Sequence, residues 1–288
     1  MIITLVLVLI AVGSVVFHLI SPWWHTPIAS NWSYIDVTID ITFWITGTVY
    51  VAVILFMAYC IWRFRYKEGR RAAYDPENKK LEWLLTGVTA VGVAALLTPG
   101  LFVWSQFVTV PKEAVDVEVV AQQWMWSFRT PGADRVLGMT DILLVDSENP
   151  FGLDPEDPNG QDDILIDPGE DLHLPVGKPV RMLLRSLDVL HDFYVPQFRA
   201  KMDLMPGMVT FFWLTPTKTG TFDILCAELC GAGHHDMRGT VVVEEDGAYQ
   251  AWLQEQQTFA QLSAEARNDS GDERDSSRSI SAQLNARE

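Results

Sequence analysis

Two cysteines, two histidines and a methionine crowd into one short stretch near the end of the chain: Cys226-Ala-Glu228-Leu-Cys230-Gly-Ala-Gly-His234-His235-Asp236-Met237. Thiolate, thioether and imidazole together form a ligand set suited to copper, whereas zinc has little use for a methionine. A single blue-copper site takes one Cys, two His and a weak axial Met, so the second cysteine is surplus to it. Two thiolates four residues apart can instead bridge two coppers. The competing reading is a Cys226–Cys230 disulfide, which an oxidising compartment favours and the spacing does not forbid. His234 and Met237, at +4 and +7 from Cys230, weigh against it. Cys60 stands apart, among Ala, Tyr and Ile in an apolar run, and reads as a small membrane residue. With three cysteines in 288 residues, a disulfide scaffold is excluded.

The elements around this loop have a strand period. Val115, Val117 and Val119 alternate with Asp116 and Glu118, and similar short runs recur at 162–167, 179–187, 208–215, 219–226 and 239–245. Turns such as Asp167-Pro168-Gly169 and Pro206-Gly207 separate them, which predicts an all-β sandwich or barrel. Residues 134–163, rich in Asp, Pro and Gly, read as an irregular excursion from it. Asp246 is expected to cap a short helix with Tyr249, Trp252, Leu253 and Phe259 along one apolar side. The divisions expected are an apolar segment with an outer linker over 1–34, a helical hairpin over 35–110, the β domain over 111–262 and a disordered tail over 263–288.

The first third of the chain is membrane-like. Residues 41–62 and 83–111 contain no Asp, Glu, Lys or Arg, and each run meets the roughly 20 residues a helix needs to cross the hydrocarbon core. Between them lie Arg63, Arg65, Lys67, Arg70, Arg71, Lys79 and Lys80, which the positive-inside rule places in the cytoplasm. The β domain is then outside. Residues 1–20 are also long enough to span, and without a basic n-region or an A-x-A site they read as an uncleaved third helix rather than a signal peptide. The segment 21–34, with Trp23, Trp24 and Trp32, is expected at the outer surface. Residues 1–107 are nearly neutral, with 7 Lys+Arg against 6 Asp+Glu, whereas residues 108–288 carry 14 against 31. Such an acidic half repels phosphate backbones, so nucleic-acid binding is excluded and a basic partner or cations are favoured.

Taken with His191 upstream in Ser186-Leu-Asp188-Val-Leu-His191, the loop resembles the binuclear copper A site of cytochrome c oxidase subunit II. The Gln123-Trp124-Met125-Trp126-Ser127-Phe128 run and Lys201-Met-Asp203-Leu-Met-Pro206-Gly207 are similar to that family too, in the same order. The resemblance implies a transmembrane α-helical hairpin, here with an extra N-terminal helix, followed by an all-β cupredoxin-like Greek-key barrel. It implies that Cys226 and Cys230 bridge two coppers, His191 and His234 bind one each, Met237 is a weak axial ligand and the Glu228 carbonyl is another. The Glu228 side chain would hold a magnesium shared with subunit I.

Trp124 would be the electron-entry aromatic, Trp126 a core residue on the opposite face of the same strand, and Asp188 a docking residue for cytochrome c. Glu82 would stand at the mouth of a proton channel, and Lys201 and Asp203 near a water and proton exit. His235 reads as solvent-exposed. The implied partners are subunit I, other oxidase subunits, cytochrome c and membrane lipid. The implied location is a bacterial inner membrane, with the copper domain in the periplasm. Met125 stands where an aromatic is usual and Met208 where an arginine is usual, which bears on the donor surface and not on the copper ligands. A quinol oxidase subunit would lack the two cysteines, and nitrous oxide reductase would need a propeller. The alternative function is a membrane-anchored copper chaperone or thiol redox protein for oxidase assembly.

Overall fold

The computed structural model describes residues 1–21, 26–71, 76–146 and 149–265. The expectations for Trp23 and Trp24, and for nearly all of the disordered tail, fall outside the described residues. The chain divides into two compact units, one of helices and one of strands.

In the helical unit α1 (Ile2–Ile20), α2 (Ser33–Arg63) and α3 (Lys79–Phe107) are each long and apolar enough to cross a membrane. Several hydroxyls are satisfied within their own helix: Thr38 donates to the Tyr34 carbonyl, Thr42 to Thr38, Thr46 to Thr42 and Thr98 to Ala94. Such back-bonding keeps these donors from standing bare in hydrocarbon. The expected hairpin of α2 and α3 is not the packed pair. It is α1 that lies along α2, burying Ala11 and Ala58 and stacking His18 on Phe43, whereas α3 buries no residue among those described. All-round apolar helices have no hydrophobic stripe to choose a neighbour, and small residues decide where backbones approach.

Among the described residues, the second unit holds ten strands: β1 (Val115–Gln122), β2 (Met125–Thr130), β3 (Ile164–Ile166), β4 (Leu172–Pro175), β5 (Val180–Ser186), β6 (His191–Val195), β7 (Ala200–Leu204), β8 (Thr210–Leu214), β9 (Gly220–Cys226) and β10 (Arg238–Glu244). They form two five-stranded sheets, ordered β3-β2-β1-β5-β8 and β4-β10-β9-β6-β7, and not one closed barrel. The pairs β1–β5 and β4–β10 are parallel and all others antiparallel. Val117, Val119, Trp126, Met182, Leu184, Phe193, Phe212 and Ile224 are buried between these strands. Residues 28–32 also belong to this unit: the Trp32 indole N–H donates to the Trp213 carbonyl at 2.9 Å and its ring meets Trp213 and Phe107. Trp32 is therefore a core residue of the β unit.

The strand β1 is buried on both faces, because the excursion covers the face bearing Glu118 and Val120. Phe151, Leu153 and Phe259 pack on Val120. Beside them lies a buried charge cluster. Arg129 donates to Glu118 at 2.6 Å, to Asp163 at 2.6 Å and to the Gly138 carbonyl at 3.0 Å, and Arg185 meets Glu118 at 2.5 Å. Gly138 crosses Gly160 so closely that a Cβ on it would lie 2.3 Å from the Gly160 Cα. The C-terminal segment is fastened to the same place, through Phe259 N–H to the Asp163 carbonyl at 2.8 Å. The expected single helix is broken accordingly. Glu245, not Asp246, is the N-cap of α4 (Asp246–Glu255), and Phe259 opens a second helical stretch that runs through 263–265, the start of the expected tail.

Burial pushes the Asp163 carboxyl up to about 6, against the Gly138 N–H and Arg129, which act the other way. The folded chain thus holds this proton more tightly than the unfolded chain. The contribution of this group to stability is complete below the ordinary aspartate pKa of about 4, and it is lost as pH rises through about 6. In Asp163→Asn the slope of stability against pH across that window is expected to flatten in part, as read from urea midpoints of the full chain in detergent. An unchanged slope would reject this assignment.

Candidate metal centre

The β9–β10 connection carries the candidate site. Strand β9 ends on Cys226 and β10 begins at Arg238, and their antiparallel register pairs Leu225 with Arg238, so the chain from 227 to 237 must fold back within a few ångströms. It does so through Cys226 N–H to the Met237 carbonyl, His234 N–H to the Gly231 carbonyl and a single 3-10 turn at His234–Asp236. The strand β6, hydrogen-bonded to β9, delivers His191 from the side. His191 is the first residue of this strand; His191, Asp192 and Phe193 are all buried, so no alternation marks the strand.

The two thiols stand unbonded, with Sγ atoms 3.7 Å apart. The Nδ1 atom of His191 is 3.9 Å from the Cys226 sulfur, and that of His234 is 3.5 Å from the Cys230 sulfur. The Met237 sulfur lies 3.8 Å from the Cys230 sulfur, and the Glu228 carbonyl oxygen 3.2 Å from the Cys226 sulfur. All six residues singled out in the sequence are thus brought together. The ligand atoms of His191, Cys226 and Cys230 lie within 4.8 Å of one another. Burial, then the hydrogen bond and charge of Cys226, push the Cys230 thiol up to about 11. Metal uptake by such a pair must displace protons. Three sulfurs, two imidazole nitrogens and a carbonyl fit soft, copper-type coordination.

Around these atoms lies a second ring of contacts. The Asp188 carboxylate accepts from His191 Nε2 at 2.9 Å and from the backbone N–H groups of Val189 and Gln123 at 2.7 and 2.6 Å. This fixes the His191 tautomer and turns Nδ1 toward the sulfurs. Burial alone would raise the Asp188 carboxyl, but these hydrogen bonds outweigh it and hold it below the usual range. Asp188, expected as a docking residue, is thus engaged with His191 through its carboxylate while its side chain stays 30% exposed. Sequence reasoning missed Asp192, which is fully buried beside His191 and accepts from Lys201 Nζ at 3.0 Å. Burial and then a hydrogen bond with Asp203 push it up to about 6, against Lys201. Its position next to a candidate ligand was the signal available. His235 is exposed, paired with Asp236 at 3.0 Å.

Trp124 is 40% exposed and Trp126 2%. The contrast was expected, but its reason differs. Residues two apart on a strand share a face; Trp124 instead lies in the turn between β1 and β2, off the strand that carries Trp126. Its indole N–H approaches the Cys230 carbonyl at 3.3 Å, while Trp126 packs against His191 with ring centroids 6.4 Å apart. Glu82 lies in the first turn of α3, whose start is capped by the Asn78 side chain on Leu81 N–H.

The family described as cytochrome c oxidase subunit II, periplasmic domain, matches residues 115–245. The alternative cytochrome c oxidase subunit 2 of Bradyrhizobium diazoefficiens is 64% identical over 278 residues, covering 95% of this chain and all of the relative. Cytochrome c oxidase subunit 2 of Cereibacter sphaeroides is 28% identical, over 80% of this chain and 77% of its own length. Among solved structures, the periplasmic domain of subunit II of cytochrome oxidase from Bradyrhizobium japonicum aligns with 51% of this chain and 95% of its own, at a TM-score of 0.39 and 24% identity. The copper-chaperone alternative finds no support in these likenesses. Three membrane-length helices, a two-sheet β unit, a loop that gathers the Cys, His and Met side chains, and 64% identity to a known relative over 95% of the chain agree: the chain belongs to the cytochrome c oxidase subunit II family.

Proposed function

We propose that the chain is the electron-accepting subunit of a respiratory cytochrome c oxidase, anchored in a bacterial inner membrane by its apolar helices with the β unit in the periplasm. The observation that carries this reading is the convergence of Cys226, Cys230, His191, His234, Met237 and the Glu228 carbonyl on one point. A binuclear copper bound there would supply one-electron chemistry. Cys226, Cys230, His191, His234, Met237 and the Glu228 carbonyl would hold it, the two thiolates being shared between the metals. The Glu228 carboxylate, a hard ligand, is left for a magnesium at the contact with subunit I.

The acidic β unit draws a lysine-rich cytochrome c by long-range attraction, to which the partly exposed Asp188 adds its charge. Trp124 receives the electron, and the loop passes it toward a haem of subunit I, where oxygen is reduced and protons are pumped. Lys201 and Asp203, joined through Asp192, border the side where water and protons would leave. Metal analysis with electron paramagnetic resonance on the full chain tests the reading: two coppers per chain in a mixed-valence state are expected, and a fully loaded chain holding one would overturn it.

Glu82, at the cytoplasmic start of α3, is placed to collect protons from water and hand them inward. In Glu82→Ala, turnover of the assembled oxidase is expected to fall through slower proton uptake, with copper content and electron entry intact. Wild-type turnover would leave Glu82 as a helix-start acid that merely favours the macrodipole.

A further inference from the structure

The turn that carries Trp124 is not simply near the metal loop; it lies on it. A Cβ built on Gly233 would fall 2.5, 2.7 and 2.8 Å from Cδ2, Cε3 and Cγ of Trp124. A Cβ on Gly231 would fall 3.2 and 3.4 Å from Cζ2 and Nε1 of the same ring, and 2.8 Å from the Gln123 side-chain nitrogen. The indole thus spans both glycines, its five-membered ring root and one edge over Gly233 and its far edge over Gly231. Real Cβ atoms do not come within 3.0 Å of such ring atoms. Any side chain at 233 must lift the indole by roughly 1 Å or more, because close-packed atoms cannot interpenetrate. The ring root offers no flexible end that could give way.

Hydrogen bonds hold the indole to this seat. Gln123 donates its side-chain amide to the Cys230 carbonyl at 2.7 Å, and the Trp124 N–H reaches the same oxygen at 3.3 Å. On its other side, Gln123 N–H donates to Asp188 at 2.6 Å, and Asp188 accepts from His191 at 2.9 Å. The turn is therefore latched to one candidate ligand through Cys230 and to another through Asp188, and Gly233 is followed directly by a third, His234.

We infer that Gly233, with Gly231 beside it and Gln123 as the latch, is a positioning residue that seats the Trp124 indole on the metal loop and so sets the rate of electron entry. The inference rests on the reading of Trp124 as the point of entry. In the step concerned, a one-electron donor protein is oxidised by one electron and the copper pair is reduced by one; no bond is made or broken, and no proton need move. Gly233 touches neither donor nor metal in this account. Its part is to be absent as a side chain.

The test is Gly233→Ala in the full chain assembled in its oxidase. Single-turnover electron entry at saturating donor is expected to slow by about tenfold or more, since a displacement near 1 Å can cost as much as a hundredfold. Copper content, the resonance spectrum and KM for the donor should stay as in the wild type. In the metal-free full chain, hydroxyl-radical footprinting read by mass spectrometry should show Trp124 oxidised several-fold faster, because the displaced ring is more exposed. In a Trp124→Phe background, Gly233→Ala should slow entry little further, and Gln123→Ala should partly reproduce the lifted ring. Wild-type entry and wild-type protection of Trp124 would overturn the inference. So would loss of copper in Gly233→Ala with Trp124 protection retained, which would assign the glycine to the metal loop itself. A wild-type chain that fails to bind two coppers is a separate result: it removes the proposed function, while the metal-free footprint still reports on the seat.

Discussion

Replacing Cys226 or Cys230 by serine is expected to abolish the two-copper centre, dropping copper from two per chain to one or none and replacing the shared hyperfine pattern by that of a single ion. The argument is geometric. Each sulfur sits beside a different imidazole nitrogen, at 3.9 Å for the Cys226–His191 pair and 3.5 Å for Cys230–His234, and the two sulfurs are 3.7 Å apart. A neutral imidazole offers a metal one free nitrogen lone pair, whereas a thiolate has lone pairs for two metals, so the sulfurs are the groups that can join a pair. A serine hydroxyl is hard, stays protonated at neutral pH and is a poor bridge for copper. Loss of one thiolate leaves one sulfur, two nitrogens and Met237, which is the set for a single copper. Met237→Leu is the control: its thioether is buried and 3.8 Å from the Cys230 sulfur, and because a thioether would be the weaker ligand, its loss should shift the potential and keep both coppers. Two coppers per chain retained in Cys226→Ser would sink the bridging assignment.

Why the copper loop could be read from sequence and its surroundings could not follows from the range of the interactions. Four donors lie within 226–237, so their spacing alone restricts the metal. His191 comes from a different strand and entered only through the family resemblance, because nothing local marks β6: it is buried on both faces and lacks a period-two pattern. The excursion is similarly opaque. Its fixed course depends on Arg129 reaching Asp163 and the Gly138 carbonyl, contacts between residues 34 and 9 positions apart that no local propensity encodes. Helix existence was plain from charge-free runs, while the choice of α1 as partner of α2 was not, since helices apolar all round carry no stripe that selects a neighbour. The choice between sandwich and barrel stayed open for a related reason. Strand periodicity says which residues face inward, whereas closure depends on whether edge strands such as β3 and β8 meet, which is a matter of tertiary register.

Those long-range contacts make Trp124→Phe the sharpest probe of how electrons reach the loop. Phe keeps an aromatic face, so the turn should still fold and the acidic surface around it is unchanged; donor KM and copper content should match the wild type. What Phe removes is the far ring edge over Gly231 and the N–H approaching the Cys230 carbonyl at 3.3 Å. Electron entry is expected to fall by on the order of a hundredfold, the scale set by losing close placement of the reacting groups. Trp126 is a second indole beside a candidate ligand, packed against His191 at 6.4 Å between ring centroids. At 2% exposure it cannot be met by a donor protein without Trp124 or the surrounding strands giving way. A wild-type rate of flash-induced entry in Trp124→Phe would therefore mean that the donor docks elsewhere on the β unit, and the seat on Gly231 and Gly233 would then serve the fold alone.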